Sequence, residues 1–280
     1  MIETAQPKRA KRFLDLHRGP RILLLANAWD AASARLFAEE GLPAIATTSA
    51  GVAFSLGFPD GERTPFPEMV AAIERIVRAV RIPVTADIES GFGQTPNEVG
   101  ENVRAVLQAG AVGVNLEDGT GDEGDPLSPI SLHSQRIHAA REAAASAGLA
   151  VVLNARTDVF LDSVGQPATR FEEAVARANA YRQAGADCLF VPGVTDVSTI
   201  ERLVGAIKGP VNVLAAAQSP PLSELQRLGV ARVSLGSGPI RATLGLLRRI
   251  TRELQGSGTY RALTEGALSY PEANSLLERA

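Results

Sequence analysis

The chain has 280 residues, of which 45% are hydrophobic, and its formal net charge is −3. This length fits one large α/β barrel or two ordinary domains, and the small negative charge argues against binding to nucleic acid or an anionic membrane. The sequence contains no window of about 18 apolar residues, so we predict no membrane span. A single cysteine rules out an internal disulfide, and the N-terminus lacks the apolar core of a signal peptide, so we predict a cytoplasmic protein.

Short apolar runs alternate with helix-forming segments eight times along the chain. The strands are predicted at 21–26, 43–48, 83–88, 112–117, 150–156, 187–191, 211–216 and 231–235. The helices are predicted at 7–18, 31–40, 66–80, 95–109, 130–146, 170–184, 196–207, 221–228 and about 238–255. The first helix is expected to pack across one end of a barrel.

This alternation, with its roughly 30-residue spacing, predicts a single closed (β/α)8 barrel of the TIM type. We assign residues 1–280 to one domain, with an N-terminal helix in about residues 1–20 and a C-terminal helical tail in about residues 256–280. The alternative is an open, doubly wound sheet. Against it, the first strand-to-helix turn has no Gly-x-Gly-x-x-Gly fingerprint.

Charged residues follow three consecutive predicted strands. Asp87 and Glu89 end the third strand two residues apart, so their side chains are predicted to point the same way, and a Gly-x-Gly turn follows them. Glu117 ends the fourth strand, and Arg156 ends the fifth. In parallel α/β folds, ligands bind at this end of the strands. Together with Asp60 on the preceding loop, these carboxylates predict a Mg²⁺ or Mn²⁺ site held partly through water. A solvated acidic turn is the alternative interpretation.

Arg156 is predicted to grip a substrate carboxylate or an enolate oxygen, with a salt bridge to Glu117 or Asp158 as the alternative. The backbone N–H groups of Ser49, Ala50 and Gly51 are predicted to form an anion nest, and Thr48 adds a hydroxyl; ordinary turn chemistry is the alternative. A metal, a nest and an arginine together suit stabilisation of an enolate from a small 2-oxo acid.

The remaining reactive residues are predicted to be structural. Cys188 lies in a buried strand and is expected to be an inert core thiol. The histidines, His17, His133 and His138, are expected to be exposed or satisfied helix residues. With no histidine near the strand ends, a zinc site is not expected.

Five motifs in this order resemble those of the isocitrate lyase/phosphoenolpyruvate mutase superfamily. They lie at 48–52, 57–60, 85–93, 115–118 and 154–157, within a match from about residue 20 to about residue 250. The resemblance implies a (β/α)8 barrel, Mg²⁺, and cleavage or rearrangement beside an α-oxo or α-hydroxy carboxylate. It also implies a homotetramer, built as a dimer of dimers, that exchanges its last barrel helix.

The resemblance also implies roles for individual residues. Asp87 matches the direct metal ligand, and Glu89, Asp60 and Glu117 match groups that bind the metal mostly through water. The Ser49–Ala50 backbone matches the carboxylate nest, with Thr48 offering its hydroxyl. Asp60 and Glu117, with Arg156 on the substrate oxygen, are therefore the catalytic candidates.

The chain departs from the superfamily pattern after the Glu117 strand. Lyase members carry a Lys-Lys/Arg-Cys-Gly-His loop and phosphonate-active members a Lys-x-Asn loop, whereas residues 119–127 contain no Cys, Lys or His. We therefore expect a Mg²⁺-dependent C–C lyase or decarboxylase of a small 2-oxo dicarboxylate, with Arg156 on the second carboxylate. The alternatives are a C–C or C–P bond hydrolase and a non-catalytic 2-oxo acid-binding protein.

Overall fold

The computed structural model describes residues 5–278, in which nine parallel strand segments form one sheet. The strands are β1 (Leu23–Leu25), β2 (Asn27–Ala28), β3 (Ile45–Thr47), β4 (Val84–Asp87), β5 (Gly113–Glu117), β6 (Val152–Arg156), β7 (Cys188–Phe190), β8 (Val211–Leu214) and β9 (Arg232–Ser234). Each segment pairs with the next along the chain from β2 to β9.

The first predicted strand closes the barrel. It is interrupted at Ala26, so that β1 pairs with β9, matching Leu23 to Arg232, while β2 pairs with β3, matching Asn27 to Ala46. Eight predicted strands therefore appear as nine segments. The closed parallel sheet confirms the (β/α)8 barrel and rules out the open doubly wound sheet.

Helices surround the sheet within the described residues. They are α1 (Gln6–Leu16), α2 (Ala31–Glu39), α3 (Ser49–Leu56), α4 (Phe66–Ala79), α5 (Pro96–Gln108), α6 (Ile130–Ser146), α7 (Arg170–Ala184), α8 (Val197–Ala206), α9 (Leu222–Arg227), α10 (Gly238–Gly256), α11 (Arg261–Thr264) and α12 (Tyr270–Glu278). Local sequence sets many of the ends. Thr95 and Glu98 form a capping box at α5, and Gly185 ends α7 in the left-handed conformation.

Helix α3 was not predicted, because its residues were assigned to a turn and a loop. The Thr48 side chain caps its amino end by accepting a hydrogen bond from the Gly51 N–H, and Gly57 ends it at φ 88°. The segment is short and almost uniformly apolar, so it shows little of the amphipathic pattern that identifies longer helices.

The barrel has two apolar cores. The larger lies between the strands and the outer helices. The smaller fills the amino-terminal end, where Ala10 and Phe13 of α1 pack against inward-facing residues such as Leu25 and Val152. The predicted packing of the first helix across a barrel end is confirmed, and burial of one such aromatic side chain stabilises the fold by about 1.5–3 kcal/mol.

Helix α10 lies largely outside these cores. Ile240 is its buried residue, whereas Leu244, Leu247 and Leu254 are each more than 40% exposed. The helix therefore presents an apolar surface that the described residues of this chain leave open. Among residues 5–278, the structure contains no helix with the length and apolar character of a bilayer span.

Candidate active site

A cavity of about 280 Å³ opens at the carboxyl ends of the barrel strands. Of the residues singled out from sequence, it is lined by Thr48, Ser49, Ala50, Asp60, Asp87 and Arg156. Residues that the sequence did not single out also line it, among them Asn115, Phe190, Arg232, Ser234 and Arg241. Loop and strand-end residues from most of the barrel thus converge on one small volume.

Asp87 is held in this cavity by neutral donors. Its Oδ2 atom accepts hydrogen bonds from the Ser49 backbone N–H at 3.1 Å and the Ser49 hydroxyl at 3.0 Å. Its Oδ1 atom accepts one from Asn115 Nδ2 at 2.9 Å, and its own N–H donates to the Thr47 hydroxyl at 2.8 Å. These contacts fix the carboxylate and leave its negative charge without a paired cation among the ion pairs of residues 5–278.

Glu89 does not extend the Asp87 side of a strand, contrary to the prediction. Strand β4 ends at Asp87, and Glu89 has φ 51°, in the left-handed region. The alternation of side chains holds only inside a strand, so the two-residue spacing does not place both carboxylates in the cavity. Glu89 instead accepts a hydrogen bond from the Glu62 N–H at 2.6 Å. Burial, with help from Asp60 and Asp87, raises the pKa of Glu89 to about 8.

Glu62, which was not predicted as a site residue, joins the loop that carries Asp60 to the loop after β4. Its carboxylate accepts hydrogen bonds from the Ser90 hydroxyl at 2.7 Å and from the Phe92 N–H at 2.8 Å. Glu62, Glu89 and Phe92 all have positive φ. Such strained conformations cluster at functional sites, but the positive φ of these residues can be seen only in the structure and not in the sequence.

The predicted anion nest is the amino end of α3. The Ser49 N–H donates to Asp87, and the Gly51 N–H donates to Thr48 Oγ1 at 3.3 Å. Two of the three predicted N–H donors therefore already donate to acceptors within the protein. Ser49 and Ala50 line the cavity, and the positive end of the helix dipole favours an anion there.

Arg156 forms the salt bridges that were its alternative role. Its Nε atom lies 2.5 Å from Asp158 Oδ1, and its Nη1 atom lies 2.6 Å from Glu117 Oε2. The second contact is an ion pair that lacks the geometry of a directed hydrogen bond. Burial alone would lower the pKa of Arg156, but Glu117 and Asp158 reverse this and raise it. The guanidinium lines the cavity with its charge already balanced by two carboxylates.

Glu117 and Asp118, which look like one acidic pair in sequence, have separate partners. Burial raises the pKa of Glu117 despite the opposing effect of Arg156. The fully buried Asp118 accepts hydrogen bonds from Tyr181 at 2.6 Å and from Arg177 at 3.1 Å. Asp118 therefore anchors the barrel wall rather than the cavity.

A chain of amide hydrogen bonds crosses the barrel interior and ends at Asp87. Asn154 Nδ2 donates to Asn115 Oδ1 at 2.7 Å, and Asn212 Nδ2 donates to Asn154 Oδ1 at 3.4 Å. The Ser234 hydroxyl donates to Asn212 Oδ1 at 3.3 Å. Because each asparagine donates toward the next on the Asp87 side, the chain fixes the position of the Asp87 carboxylate. The sequence feature that could have revealed this hydrogen-bond chain is one asparagine in each of three apolar strands.

The carboxylates do not form a ready-made ligand cluster. Within residues 5–278, no group of three or more His, Cys, Asp and Glu side chains is arranged to hold a metal ion, and Glu89 and Glu117 do not line the cavity, so the site with all four carboxylates stays a prediction. Asp87 and Asp60 do share the cavity, and burial together with the charge of Asp87 raises the pKa of Asp60. Mg²⁺ keeps several waters and needs only one or two carboxylates, so this pair fits Mg²⁺.

The cysteine prediction is confirmed, and the histidine prediction is wrong in part. Cys188 is fully buried, and burial raises its pKa to about 12. His17 and His133 are buried, whereas His138 is exposed. Within residues 5–278 the ring nitrogens of His133 make no hydrogen bond of good geometry, although the Leu116 backbone lies close enough to raise its pKa, so this buried histidine is poorly satisfied.

The loop after β5 is closed by its own contacts. Gly119 forms a β-bridge with Leu127, and the Thr120 hydroxyl donates to the Asp125 carbonyl at 2.5 Å. Gly121, Asp122 and Glu123 of this loop line a separate surface depression with residues 162–165. No loop residue from 119 to 127 is among the residues that line the Asp87 cavity.

Comparison with known proteins identifies the relatives of this chain. The Phosphoenolpyruvate phosphomutase family model matches residues 13–255. Oxaloacetate decarboxylase 2 of Pseudomonas fluorescens (strain Pf0-1) is 30% identical over 282 residues, covering 97% of this chain and 91% of that protein. A crystal structure of a candidate lyase/mutase from Burkholderia cenocepacia J2315 is 39% identical, with a TM-score of 0.90, and covers 97% of this chain and 96% of that one.

A more distant structural neighbour shares the fold. Phosphonopyruvate hydrolase, solved in complex with oxalate and Mg²⁺, superimposes with a TM-score of 0.81 at 24% identity, covering 96% of this chain and 94% of that one. The family match spans the barrel and every residue placed in the cavity above. The chain therefore belongs to the phosphoenolpyruvate phosphomutase family, within the isocitrate lyase/phosphoenolpyruvate mutase superfamily, and is an enzyme of that type.

Proposed function

We propose that this protein is a Mg²⁺- or Mn²⁺-dependent enzyme that cleaves a C–C bond in a small 2-oxo dicarboxylate, as a lyase or decarboxylase. The observation that carries the proposal is that Asp87 and Asp60 line one cavity of about 280 Å³ beside the amino end of α3. That arrangement suits a cation on one side and a substrate carboxylate on the other. The decarboxylase relative supports the choice of reaction.

Asp87 would hold the metal directly, and Asp60 would reach it through water. When bound, the metal polarises the 2-oxo oxygen as a Lewis acid. The hydrogen bonds from Ser49 and Asn115 keep Asp87 in place before the cation arrives, so little reorganisation is needed.

The substrate carboxylate would lie at the amino end of α3. Ser49 and Ala50 line this side of the cavity, and Thr48 orients the first turn through its bond to Gly51. The amino end of α3 would thus bind one carboxylate and orient the 2-oxo group.

Arg156 would orient the substrate oxygen from the opposite side. Glu117 and Asp158 hold its guanidinium at the edge of the cavity. A fixed cation there favours negative charge that develops on the substrate as the C–C bond breaks. Glu117 acts in this scheme by positioning Arg156.

The loop at 119–127 supports decarboxylation over reactions that need a loop acid. It has no Cys, Lys or His, and it lies outside the cavity lining. Loss of CO₂ from a 3-carboxyl group needs no protein acid to release the leaving group. The carbanion equivalent can then take a proton from water.

Turnover assays with and without Mg²⁺ test the proposal. The panel comprises oxaloacetate, 2-oxoglutarate, 2-methylisocitrate, dimethylmalate and phosphonopyruvate, and each substrate is repeated after chelator treatment. We expect Mg²⁺-dependent consumption of a dicarboxylate, with oxaloacetate first. Release of phosphate from phosphonopyruvate alone would favour a hydrolase, and tight binding without turnover would favour a sensor.

We also propose a homo-oligomer, with the tetramer as the expected form. Helix α10 exposes Leu244, Leu247 and Leu254, a surface that suits burial against a second copy. Light scattering at micromolar concentration should give a multiple of the chain mass of 29.4 kDa. A monomer under those conditions would contradict this part of the proposal.

A further inference from the structure

Arg232 is a cation inside the barrel that the scheme above does not use. It is the first residue of β9, is 2% exposed, and lines the cavity together with Asp87 and Ser49. Its register partners are Leu23 on β1 and Asn212 on β8. The side chain therefore reaches the cavity from the wall made by the last strands.

The guanidinium of Arg232 is incompletely satisfied. Its Nε atom donates to Ser234 Oγ at 3.2 Å, but Nη1 is buried and has no hydrogen-bond partner within residues 5–278. Burial lowers its pKa to about 10, so the group stays charged at neutral pH. An isolated buried cation is costly unless an anion accompanies it during function.

Two other arginines of the described chain have the partner that Arg232 lacks, whereas the buried Arg136, which does not line the cavity, also forms no ion pair within residues 5–278. Arg156 pairs with Glu117 and Asp158, and Arg177 pairs with Asp118 and Glu173. Arg232 forms no ion pair with any carboxylate in residues 5–278. It is thus a buried cation that faces a ligand-sized cavity with no carboxylate in direct contact, and the more distant charge of Asp87 offsets only part of the lowering of its pKa by burial.

We propose that Arg232 binds the second carboxylate of the substrate and sets the preference for dicarboxylates. This inference rests on the proposed function, which places the 2-oxo acid end between Asp87 and the amino end of α3. Arg156 is a weaker candidate for the second carboxylate because two protein carboxylates already balance its charge. The free fork of Arg232 matches a carboxylate in shape and charge.

Binding measurements on matched variants test this role. Calorimetric titrations at fixed Mg²⁺ compare pyruvate, 2-oxoglutarate and phosphonopyruvate in the wild type, Arg232→Met and Arg232→Lys. Methionine keeps an unbranched apolar side chain in the cavity wall, and lysine keeps the charge without the fork. The matched control is Arg9→Met, since Arg9 also has a buried nitrogen without a partner in residues 5–278 but lies on α1 at the other barrel end.

We expect 2-oxoglutarate to bind the wild type at least about tenfold more tightly than pyruvate. Arg232→Met should weaken 2-oxoglutarate about ten- to a hundredfold and change pyruvate by less than about twofold. Arg232→Lys should give an intermediate loss, and Arg9→Met should change neither affinity. Near-UV circular dichroism verifies the fold, and Arg232→Lys carries the test if the methionine variant does not fold.

Three outcomes would overturn the inference in distinguishable ways. Equal loss of pyruvate and 2-oxoglutarate in Arg232→Met would make Arg232 a general counter-charge to Asp87 and leave the proposed function standing. Arg232-dependent binding of phosphonopyruvate at least about tenfold tighter than 2-oxoglutarate would replace the carboxylate by a phosphonate. Wild-type protein that binds none of the three acids would overturn both this inference and the proposed function.

Discussion

Strands β4 and β5 end in stretches that look alike in sequence and differ in the structure. Each is an apolar run that ends in a carboxylate shortly before a glycine. Asp87 receives hydrogen bonds from Ser49 and Asn115, which are neutral, and faces the cavity. Glu117 is paired with Arg156. A carboxylate held by neutral donors can still pair with a cation that enters the cavity. A carboxylate that is already ion-paired instead holds its arginine in position.

The largest effect should come from removing the charge of Asp87. Asp87→Asn keeps the size of the side chain, and we expect Mg²⁺-dependent ligand affinity to fall by more than about a hundredfold, since loss of an outer-shell partner alone costs about 10–100-fold. The fold should survive because the site lies at a strand end. Calorimetry with Mg²⁺ measures the loss, and Asp122→Asn on the exposed loop is the control. Unchanged affinity in chelator-treated wild type would contradict the metal assignment.

Removal of Arg156 should affect stability first. Arg156→Met leaves Glu117 and Asp158 buried without their cation, and we expect the free energy of unfolding to fall by about 3–5 kcal/mol. Urea denaturation measures this, and Arg78→Met, which breaks the exposed pair with Glu74, should cost about 0–1 kcal/mol. A loss in Arg156→Met no larger than in the control would abolish the distinction between the two strand ends.

The amide chain should link the barrel interior to Asp87. Asn154→Leu removes the donor to Asn115 Oδ1 and should lower Mg²⁺-dependent ligand affinity about tenfold, because Asn115 is then free to turn away from Asp87. Asn179→Leu, on α7 outside the barrel, is the matched control, because the Asn179 side chain, like that of Asn154, donates one hydrogen bond and accepts one. Titration against Mg²⁺ and a 2-oxo acid would show equal affinities in both variants if the chain does not position Asp87.

A further predicted effect is acid sensitivity on the Glu117 side, where His133 packs against Tyr181. Burial lowers the pKa of His133 from 6.5 to about 4, so below pH 6.5 the unfolded chain takes up a proton that the native chain does not. Its contribution to stability is complete above pH 6.5 and falls as the pH drops toward 4. Between pH 7 and 5 the loss should be on the order of 2 kcal/mol.

Urea denaturation at pH 7 and at pH 5 checks the histidine prediction. His133→Phe keeps an aromatic ring against Tyr181 and should remove most of this loss. Part of the wild-type pH dependence should remain, because burial also lowers the pKa of His17 to about 4. Identical pH dependence in the variant and the wild type would show that His133 does not contribute.

Most of the fold was predictable because each strand and its following helix carry local signals. Apolar runs, caps such as Asp30 and Thr95, and the glycine at 185 all act over a few residues. Helix α3 was missed because an apolar eight-residue helix has no amphipathic period. The break in the first strand at Ala26 depends on two different neighbours, β9 and β3, which lie far apart in the chain.

Three charged residues of the cavity could be picked out from the sequence, whereas Arg232 could not. Asp60, Asp87 and Arg156 follow strands or turn-rich loops, where charge is conspicuous. Arg232 is one cation at the start of an apolar strand, and the sequence does not reveal that its Nη1 atom has no partner in the described chain. The predicted direction of the Glu89 side chain was wrong for a related reason, since the positive φ of Glu89 is a property of the folded loop.

Helix α1 has a consequence for the order in which the chain folds. It precedes every strand and is synthesised before them, yet Phe13 packs against Val112 and Val152, whose strands follow much later. The helix therefore has no complete docking surface until the chain beyond residue 152 has left the ribosome. Closure of this barrel end is thus a late step of synthesis, even though the element that closes it is made first.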